Sequence, residues 1–289
     1  MNLTDINQIK DLLGRHGFRF SKSLGQNFLC AAWVPEDIAD AAMLDEETGV
    51  LEVGPGIGCL TVQLAERAKK VVCIELDKAL KPVLAETLAD CGNVEVVFGD
   101  VMKTDLAALC REKFSDCVRV VVCANLPYNI TTPVLTAFAE SGCFDCITVM
   151  IQREVANRIC AKENTADYGA FTLLMQWHTV PEKLFDVSPG CFIPAPKVTS
   201  SVIRMVKRSE PPCAVKSEKR MFALIRAAFN QRRKTLCNAM MNGLGLPRET
   251  AAAAIAAAGL PETVRGEVLS MAQFAALSDA LGTVEEGRA

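Results

Sequence analysis

Val50-Leu51-Glu52-Val53-Gly54-Pro55-Gly56-Ile57-Gly58 decides the fold of this chain. Residues 50–53 have the length and apolar character of a buried strand, the glycines predict a tight turn, and residues 60–68 carry helical spacing. A strand that passes through a glycine-rich turn into a helix predicts a βαβ unit whose turn approaches a ligand closely. The pattern fits a dinucleotide or S-adenosylmethionine, with a purely structural turn as the alternative.

The same rhythm of short apolar runs and helical patterns continues along the chain, and it predicts an α/β fold with a mostly parallel sheet. The predicted strands are residues 50–53, 71–75, 94–98, 119–123, 147–151, 183–187 and 200–206. The predicted helices between them are residues 60–68, 78–90, 133–141, 152–161 and 170–177.

The pattern changes after Ser209-Glu210-Pro211-Pro212, because no convincing strand follows. Helical spacing occurs over residues 222–230, 234–241, 248–258 and 271–281. Gly259 suits a helix C-terminus, and Ser270 with Gln273 fits a capping box. We therefore expect two domains, an α/β domain over 1–208 and a helical domain over 209–289.

Composition limits the environment and the partners. Half of the 289 residues are hydrophobic and the formal net charge is -3, so the chain as a whole favours no polyanionic partner. The segment 219–248 is different, since it contains seven basic residues and no acidic one. No apolar stretch approaches the ~20 residues of a membrane span, and we expect a cytoplasmic protein with no membrane association.

Thirteen cysteines are scattered through the chain without zinc-like spacing to one another or to the two histidines. They are expected to be small core hydrophobes in a reducing cytosol. No metal site is predicted.

Polar residues follow three further predicted strands. Glu75 ends the second strand, where a carboxylate can bind the hydroxyls of a ribose. Asp100 follows the third strand and either accepts a hydrogen bond from an adenine amino group or caps the next turn. Asn125 ends the fourth strand. Because the carboxyl ends of parallel strands share one edge of a sheet, we expect these side chains beside the glycine-rich turn.

Asn125-Leu126-Pro127-Tyr128 indicates the chemistry. Pro127 stiffens the loop and keeps Leu126 out of the α region, so that carbonyl and amide oxygens are held beside an aromatic ring. An exocyclic amine on a flat base needs acceptors for its two hydrogens and a surface for stacking. We expect the Asn125 side-chain oxygen and the Leu126 carbonyl to be those acceptors. The alternative is a β-turn whose tyrosine packs inward.

With these motifs, the chain resembles the ribosomal RNA adenine dimethyltransferase family, and within it the bacterial small-subunit (16S) group linked to kasugamycin sensitivity. The resemblance runs from about Phe18 to the carboxyl-terminal helices. The segments that carry it are residues 23–29 (Ser-Leu-Gly-Gln-Asn-Phe-Leu), 51–61, 125–128, 152–156 (Gln-Arg-Glu-Val-Ala), 192–198 (Phe-Ile-Pro-Ala-Pro-Lys-Val), 226–229 and 231–236.

The resemblance implies a class I methyltransferase with a seven-stranded sheet, a small helical domain and S-adenosylmethionine as cofactor. The residues it implies around the cofactor are Asn27, Leu29, Gly54, Gly56, Glu75, Asp100 and Asn125. Catalytic roles fall on Asn125, Leu126, Pro127, Tyr128 and Phe192, the two aromatic rings stacking on opposite faces of the base. The implied partners are ribosomal RNA and a precursor of the small ribosomal subunit, and we expect a monomer.

Arg226, Arg232, Arg233 and Lys234 are the expected phosphate contacts, with a solvated helix face as the alternative. Cys237 departs from the pattern, since it stands where a further basic residue is expected. That departure puts one RNA contact in doubt but not the chemistry.

Three rival functions stay open at this point. The nearest is methylation of large-subunit ribosomal RNA, as in the related macrolide-resistance enzymes. A second is a non-catalytic assembly or transcription factor on the same fold. The third is a nicotinamide oxidoreductase, which has no evident use for Asn125-Leu126-Pro127-Tyr128.

Overall fold

The computed structural model describes residues 1–21 and 25–287. In chain order the strands are β1 (Phe28–Leu29), β2 (Thr48–Val53), β3 (Lys70–Glu75), β4 (Val94–Phe98), β5 (Arg119–Asn125), β6 (Cys146–Gln152), β7 (Thr179–Val187), β8 (Phe192–Ile193) and β9 (Ser200–Lys207). Seven of them form one sheet in the order β4-β3-β2-β5-β6-β9-β7, and β1 pairs with β8.

The sheet is mostly parallel, as the sequence predicts. Strands β4, β3, β2, β5 and β6 run parallel to one another, whereas β9 is antiparallel to both β6 and β7. All six residues of β2 are buried, as expected for a central strand that is covered on both faces, so its residues do not alternate between buried and exposed. Its neighbours β3 and β5 are also buried over most of their length.

The largest correction to the predicted strands is at the start of β7. The sequence predicts residues 183–187, whereas β7 begins at Thr179 and includes Pro181. Proline disfavours the interior of a sheet but is tolerated on an edge strand, where one side needs no hydrogen-bond partner. Strand β7 is an edge strand, so Pro181 does not interrupt it.

The predicted helices are present, with corrections at their ends. The helices of the structure are α1 (Ile6–Arg15), α2 (Trp33–Ala41), α3 (Cys59–Ala65), α4 (Lys81–Thr87), α5 (Leu106–Lys113), α6 (Thr131–Ser141), α7 (Arg153–Ile159), α8 (Ala170–His178), α9 (Glu218–Asn230), α10 (Leu236–Leu244), α11 (Arg248–Ala257) and α12 (Met271–Glu286). The prediction missed α1, α2 and α5. The helix predicted at 78–90 is a 3-10 turn, Lys78–Leu80, followed by α4 with Pro82 in its first turn. The helix predicted from Lys234 begins two residues later, because Thr235 caps it.

The structure divides into two compact units, residues 1–156 with 179–207, and residues 157–178 with 208–289. In the first unit, Val34 and Ile38 of α2 and Leu64 of α3 share a core with the strands, and α1 and α4 share another. This unit contains the whole seven-stranded sheet.

The second unit is helical and has its own core. Residues 157–178, which the sequence places in the first domain, pack with the carboxyl-terminal helices because Tyr168, Leu173 and Trp177 contribute side chains to that core. The capping box predicted at Ser270 and Gln273 begins α12. The division into domains 1–208 and 209–289 itself stays a prediction.

All thirteen cysteines are free thiols, but only Cys73, Cys123, Cys191 and Cys237 are fully buried. The others are half-buried. Five of these, Cys30, Cys59, Cys91, Cys146 and Cys213, still pack against the hydrophobic clusters. Among the described helices, none is both long and apolar enough to cross a membrane. Over the same residues, no group of three metal-ligating side chains comes together.

Candidate active site

The glycine-rich turn follows β2 and adopts backbone conformations that favour glycine. Gly54, Gly56 and Gly58 have φ angles of +70°, +62° and +89°, in the left-handed region that costs other residues energy. A Cβ atom on Gly56 would lie 3.2 Å from the Phe28 ring. Two constraints, backbone conformation and close packing, therefore require glycine here.

Glu75, the last residue of β3, is attached to this turn. Its carboxylate accepts hydrogen bonds from the backbone N–H of Asp77 (2.7 Å) and from that of Gly56 (3.4 Å). The side chain is buried, and burial raises the pKa of Glu75 above its ordinary value. The carboxylate is thus held at the carboxyl edge of the sheet, beside the turn.

Asp100 follows β4 and has a capping function of its own. Its Oδ1 accepts from the backbone N–H of Met102 at 3.0 Å and so begins the 3-10 turn Val101–Lys103. Its Oδ2 lies 3.9 Å from Nζ of Lys103. Asp100 therefore caps this turn, while its expected hydrogen bond to an adenine amino group stays a prediction.

The segment around Asn27 lies against the glycine turn. Leu29 pairs with Phe192 across β1 and β8, and both side chains are buried, Phe192 at 4% exposure. The Asn27 side chain donates to the Gly25 carbonyl at 3.0 Å. Ser23 and Leu24, which belong to the same sequence motif, lie outside the described residues.

Asn125, Leu126, Pro127 and Tyr128 form a corner at the end of β5. The Leu126 N–H donates to the Met150 carbonyl at 3.1 Å, and the Pro127 carbonyl accepts from Ile130 N–H and from the Thr131 hydroxyl. Within residues 1–21 and 25–287, no hydrogen bond engages the Asn125 side-chain amide or the Leu126 carbonyl oxygen. The turn thus uses one carbonyl and leaves the two expected acceptors available.

These elements line a single cavity. Its wall includes every residue that the sequence assigned to the cofactor or to catalysis: Asn27, Leu29, Gly54, Gly56, Glu75, Asp100, Asn125, Leu126, Pro127, Tyr128 and Phe192. The cavity therefore joins the glycine turn and the Asn125 corner, as a site for a cofactor and a base requires. The part that each residue plays in binding or catalysis stays a prediction.

Glu52 lines the cavity and was assigned no role from the sequence. It is the next-to-last residue of β2, is 1% exposed, and accepts from the Thr61 hydroxyl at 2.7 Å and from the Cys73 thiol at 3.4 Å. Burial raises the pKa of Glu52 to about 7. An acidic residue inside an otherwise apolar strand was the signal that could have identified it.

Gln26 and Asp77 are a second pair without an assigned role. Gln26 donates through Nε2 to Asp77 Oδ2 at 2.7 Å, and its Oε1 accepts from the Ser21 N–H at 2.8 Å. Since the Asp77 N–H donates to Glu75, these bonds link the Asn27 segment to the Glu75 carboxylate. Nothing in the spacing of the two residues along the chain predicts the contact.

The basic residues of the second unit do not share one environment. Arg226, Arg233 and Lys234 are exposed. Arg232 instead donates to the Glu267 carboxylate (2.7 Å) and to the carbonyls of residues 165 and 166 (2.8 and 2.7 Å). Cys237, the residue that departs from the family pattern, is buried in the helical core.

A family model described as ribosomal RNA adenine dimethylase matches residues 17–281. The chain belongs to the ribosomal RNA adenine dimethylase family. It is 46% identical over 276 residues to ribosomal RNA small subunit methyltransferase A of Geobacillus thermodenitrificans, covering 94% of each chain. The protein of the same name from Clostridium perfringens strain SM101 is 47% identical over 283 residues, which are 96% of this chain and 98% of the relative.

Solved structures support the same fold. The 23S rRNA methyltransferase ErmE aligns with a TM-score of 0.66 and 27% identity over 88% of this chain and 99% of its own. A dimethyladenosine transferase from Plasmodium falciparum has the same fold, with a TM-score of 0.73 and 24% identity over 86% of this chain and 95% of its own. The fold is that of a class I methyltransferase, and membership of this family implies S-adenosylmethionine as the methyl donor.

Glu52 predicts how stability depends on pH. Its pKa rises on folding from an ordinary value of 4.5 to about 7, so the folded state binds the proton more tightly and stability falls as pH rises between these values. The shift corresponds to roughly 3 kcal/mol. Glu52→Gln should therefore gain stability relative to the wild type as pH rises from 4.5 to 8, measured by urea unfolding. Exposed Glu36→Gln is the control, and a gain in Glu52→Gln that does not change with pH would contradict the assignment.

The Gln26–Asp77 pair predicts an order of cofactor affinities. Gln26→Ala loses a hydrogen bond to a charged group and should bind S-adenosylhomocysteine about tenfold more weakly. Gln26→Glu places two carboxylates together and should be weaker still. Adding Asp77→Asn to Gln26→Glu exchanges amide and carboxylate and should restore binding, as measured by calorimetry. Equal affinities in all variants would show that the Gln26–Asp77 pair does not support cofactor binding.

Proposed function

We propose that the protein transfers methyl groups from S-adenosylmethionine to N6 of adenine and dimethylates adjacent adenosines of small-subunit ribosomal RNA during ribosome biogenesis. The observation that carries this proposal is the cavity in which the Asn125 corner and the glycine turn meet. An amine acceptor site beside a cofactor site is the arrangement that methylation of a base amine requires.

The donor groups of the cavity fit S-adenosylmethionine. Glu75 at the end of β3 suits the hydroxyls of a ribose, and the glycine turn lets the backbone approach the ligand. Glu52 and Glu75 are buried carboxylates with raised pKa values, and a cationic ligand would favour their ionised forms. When bound, S-adenosylmethionine supplies a methyl group attached to a positively charged sulfur.

The Asn125 corner compensates for the poor nucleophilicity of the adenine amine. The lone pair of the adenine amine is delocalised into the ring, which makes the nitrogen flat and unreactive. The Asn125 side-chain oxygen and the Leu126 carbonyl accept its two hydrogens and so favour the pyramidal nitrogen that attacks in line. Loss of one such preorganised partner typically raises the barrier by ~3 kcal/mol, about a hundredfold in rate. No strong base is needed, because the nitrogen-bound proton becomes acidic once the N–C bond forms.

Tyr128 and Phe192 hold the base. Tyr128 is half-buried on the cavity wall, and Phe192 lines the cavity while its other side packs in the core with Leu29. In the proposed complex the two rings stack on opposite faces of the extruded adenine. Stacking on an aromatic ring contributes ~1–3 kcal/mol per base, which offsets much of the cost of unstacking the base from the RNA.

Two observations favour a small-subunit methyltransferase over the rival functions. The relatives at 46% and 47% identity are named as small-subunit enzymes, whereas ErmE, named as a 23S enzyme, is 27% identical. The cavity also retains all the residues that catalysis would use, which disfavours a non-catalytic factor. We propose the precursor of the small subunit as the partner and a monomer as the active form.

The exposed basic residues Arg226, Arg233 and Lys234 are the proposed contacts to RNA phosphates. Arg232 has a different part in this proposal, because its guanidinium is already bonded to Glu267 and to two carbonyl groups. Arg232 holds the segment at residues 165–166 against the turn before α12. In this proposal it does not contact phosphate itself and affects RNA binding only by fixing that segment.

The central test is methyl transfer to undermethylated ribosomal subunits. Purified protein with labelled S-adenosylmethionine should label small subunits, and nucleoside analysis should give N6,N6-dimethyladenosine. Large subunits serve as the competing substrate. Label on large subunits alone, or no label on either, would refute the proposed function.

Asn125→Ala tests the mechanism in the same assay. Because the variant loses one of two acceptors for the amine, methyl transfer should fall about a hundredfold. The affinity for S-adenosylhomocysteine should stay within a few-fold of the wild type, and exposed Asn7→Ala should behave as the wild type. Near-normal turnover in Asn125→Ala would exclude the role assigned to Asn125.

Neutralisation of Arg226, Arg233 and Lys234 tests the RNA surface. Each phosphate contact contributes about 0.7–0.9 to the slope of log affinity against log salt, so replacing all three by Gln should reduce the slope by about 2. The measurement is RNA binding by filter retention at several salt concentrations. Gln at the exposed Lys10 and Lys81 provides the control, and an unchanged slope in the triple variant would show that these residues lie outside the RNA interface.

A further inference from the structure

The buried hydroxyl of Ser200 contacts Tyr128, whose ring is proposed to hold the base. The Tyr128 hydroxyl and Ser200 Oγ are 2.7 Å apart, a hydrogen bond in which either oxygen could be the donor. Tyr128 lines the cavity, whereas Ser200 is 0% exposed and does not. Ser200 therefore contacts the site only through Tyr128.

The position of Ser200 is fixed by the sheet. It is the first residue of β9, and it pairs with Gln152 of β6 on one side and with Val187 of β7 on the other. Because two neighbouring strands hold its backbone, the Ser200 side chain extends from a fixed position in the sheet. Within residues 1–21 and 25–287, the only hydrogen-bond partner of the Ser200 hydroxyl is Tyr128.

Stacking by Tyr128 on a base requires that its ring be held in one orientation. Rotation about the bond to an aromatic ring is broad and is weakly restricted by local sterics. The hydroxyl oxygen lies on the axis of this rotation, but a phenol hydroxyl prefers to form its hydrogen bonds in the plane of the ring. A bond to a partner at a fixed position, Ser200, therefore holds the far end of the ring and favours one direction of its plane, on which stacking on a base depends. Burial raises the pKa of Tyr128, with the Ser200 hydrogen bond acting in the opposite direction. The phenol therefore remains neutral near pH 7, so that its hydroxyl can either donate or accept in this bond.

We infer that Ser200 is a positioning residue for methyl transfer, which holds the Tyr128 ring in the plane that stacks on the substrate base. The inference rests on the proposed function, since it takes Tyr128 to contact the base. It assigns Ser200 no contact with the cofactor or the RNA.

Ser201 provides a matched control. It is the next residue of β9 and is equally buried, and its hydroxyl donates to Asp186 at 2.6 Å. Successive side chains of a strand point to opposite faces of the sheet, so Ser201 lies away from Tyr128. Ser201→Ala therefore removes a buried hydrogen bond of similar kind without altering the ring.

The test is a double-mutant cycle on single-turnover methyl transfer to undermethylated small subunits. Ser200→Ala and Tyr128→Phe should each slow transfer about tenfold, and the double variant should be no slower than the slower single variant. Affinity for S-adenosylhomocysteine should not change in any of them. Ser200→Thr keeps the hydroxyl and should recover most of the rate, and Ser201→Ala should react as the wild type.

The outcomes separate this inference from the proposed function. If Tyr128→Ala is inactive while Ser200→Ala and Tyr128→Phe react at the wild-type rate, the positioning role is wrong and the proposed function stands. Losses that multiply in the double variant, or an equal loss in Ser201→Ala, would also overturn the inference. If Tyr128→Ala remains fully active, Tyr128 does not hold the base and the inference fails, whereas the proposed methyl transfer stands. Only a wild type that does not methylate small subunits would refute the proposed function. Should Ser200→Ala not fold, Ser200→Thr and Tyr128→Phe decide the question.

Discussion

The parallel pairing of β2 with β5 is the constraint on which the site depends. From β2 the chain continues to β3 and β4 on one side, and it then returns to form β5 on the other side, in a register that pairs Val50 with Val121 and Leu51 with Val122. The connections that leave these two strands therefore diverge, which opens a crevice at their carboxyl ends. The glycine turn after β2 and the Asn125 corner after β5 both face this crevice. A one-residue slip of either strand would turn its side chains to the opposite face of the sheet.

The crevice carries an electrostatic cost that the rest of the unit must offset. Glu52 and Glu75 are both buried on its wall, and burial raises the pKa of each. Each raised pKa makes the ionised form costly in the protein without ligand. A core chosen for stability alone would place apolar residues in β2 and at the end of β3. Perturbed carboxylates that meet in one cavity are typical of functional sites, where stability is given up for binding or chemistry.

The sequence predicted what depends on local pattern and missed what depends on tertiary contact. The central strands were found because burial on both faces makes them continuous apolar runs, and their order along the chain implied a shared edge for Glu75, Asp100 and Asn125. The start of β7 was missed because Pro181 breaks the strand pattern and only an edge position tolerates it. The Arg232–Glu267 and Gln26–Asp77 bonds join residues 35 and 51 positions apart, which no local pattern records.

The packing of residues 157–178 was missed for a related reason. Their helical spacing continues the alternation of the first unit, and nothing along the chain marks a change before Ser209. In the structure their apolar side chains, including Trp177, complete the core of the helical unit. Helical periodicity shows that a face is apolar but does not show which core will bury it.

The number of acceptors at the Asn125 corner bears on how one site could add two methyl groups. The turn uses the Pro127 carbonyl for Ile130 and Thr131, which leaves the Asn125 amide oxygen and the Leu126 carbonyl for two amine hydrogens. After the first transfer the nitrogen keeps a single hydrogen, so one acceptor suffices and the new methyl group must occupy space near the other. The Asn125 amide oxygen is part of a side chain that can rotate. The Leu126 carbonyl is part of the backbone, which the hydrogen bond from the Leu126 N–H to the Met150 carbonyl holds in place. In the proposed mechanism, the Leu126 carbonyl therefore keeps the remaining hydrogen while the Asn125 amide moves to accommodate the methyl group.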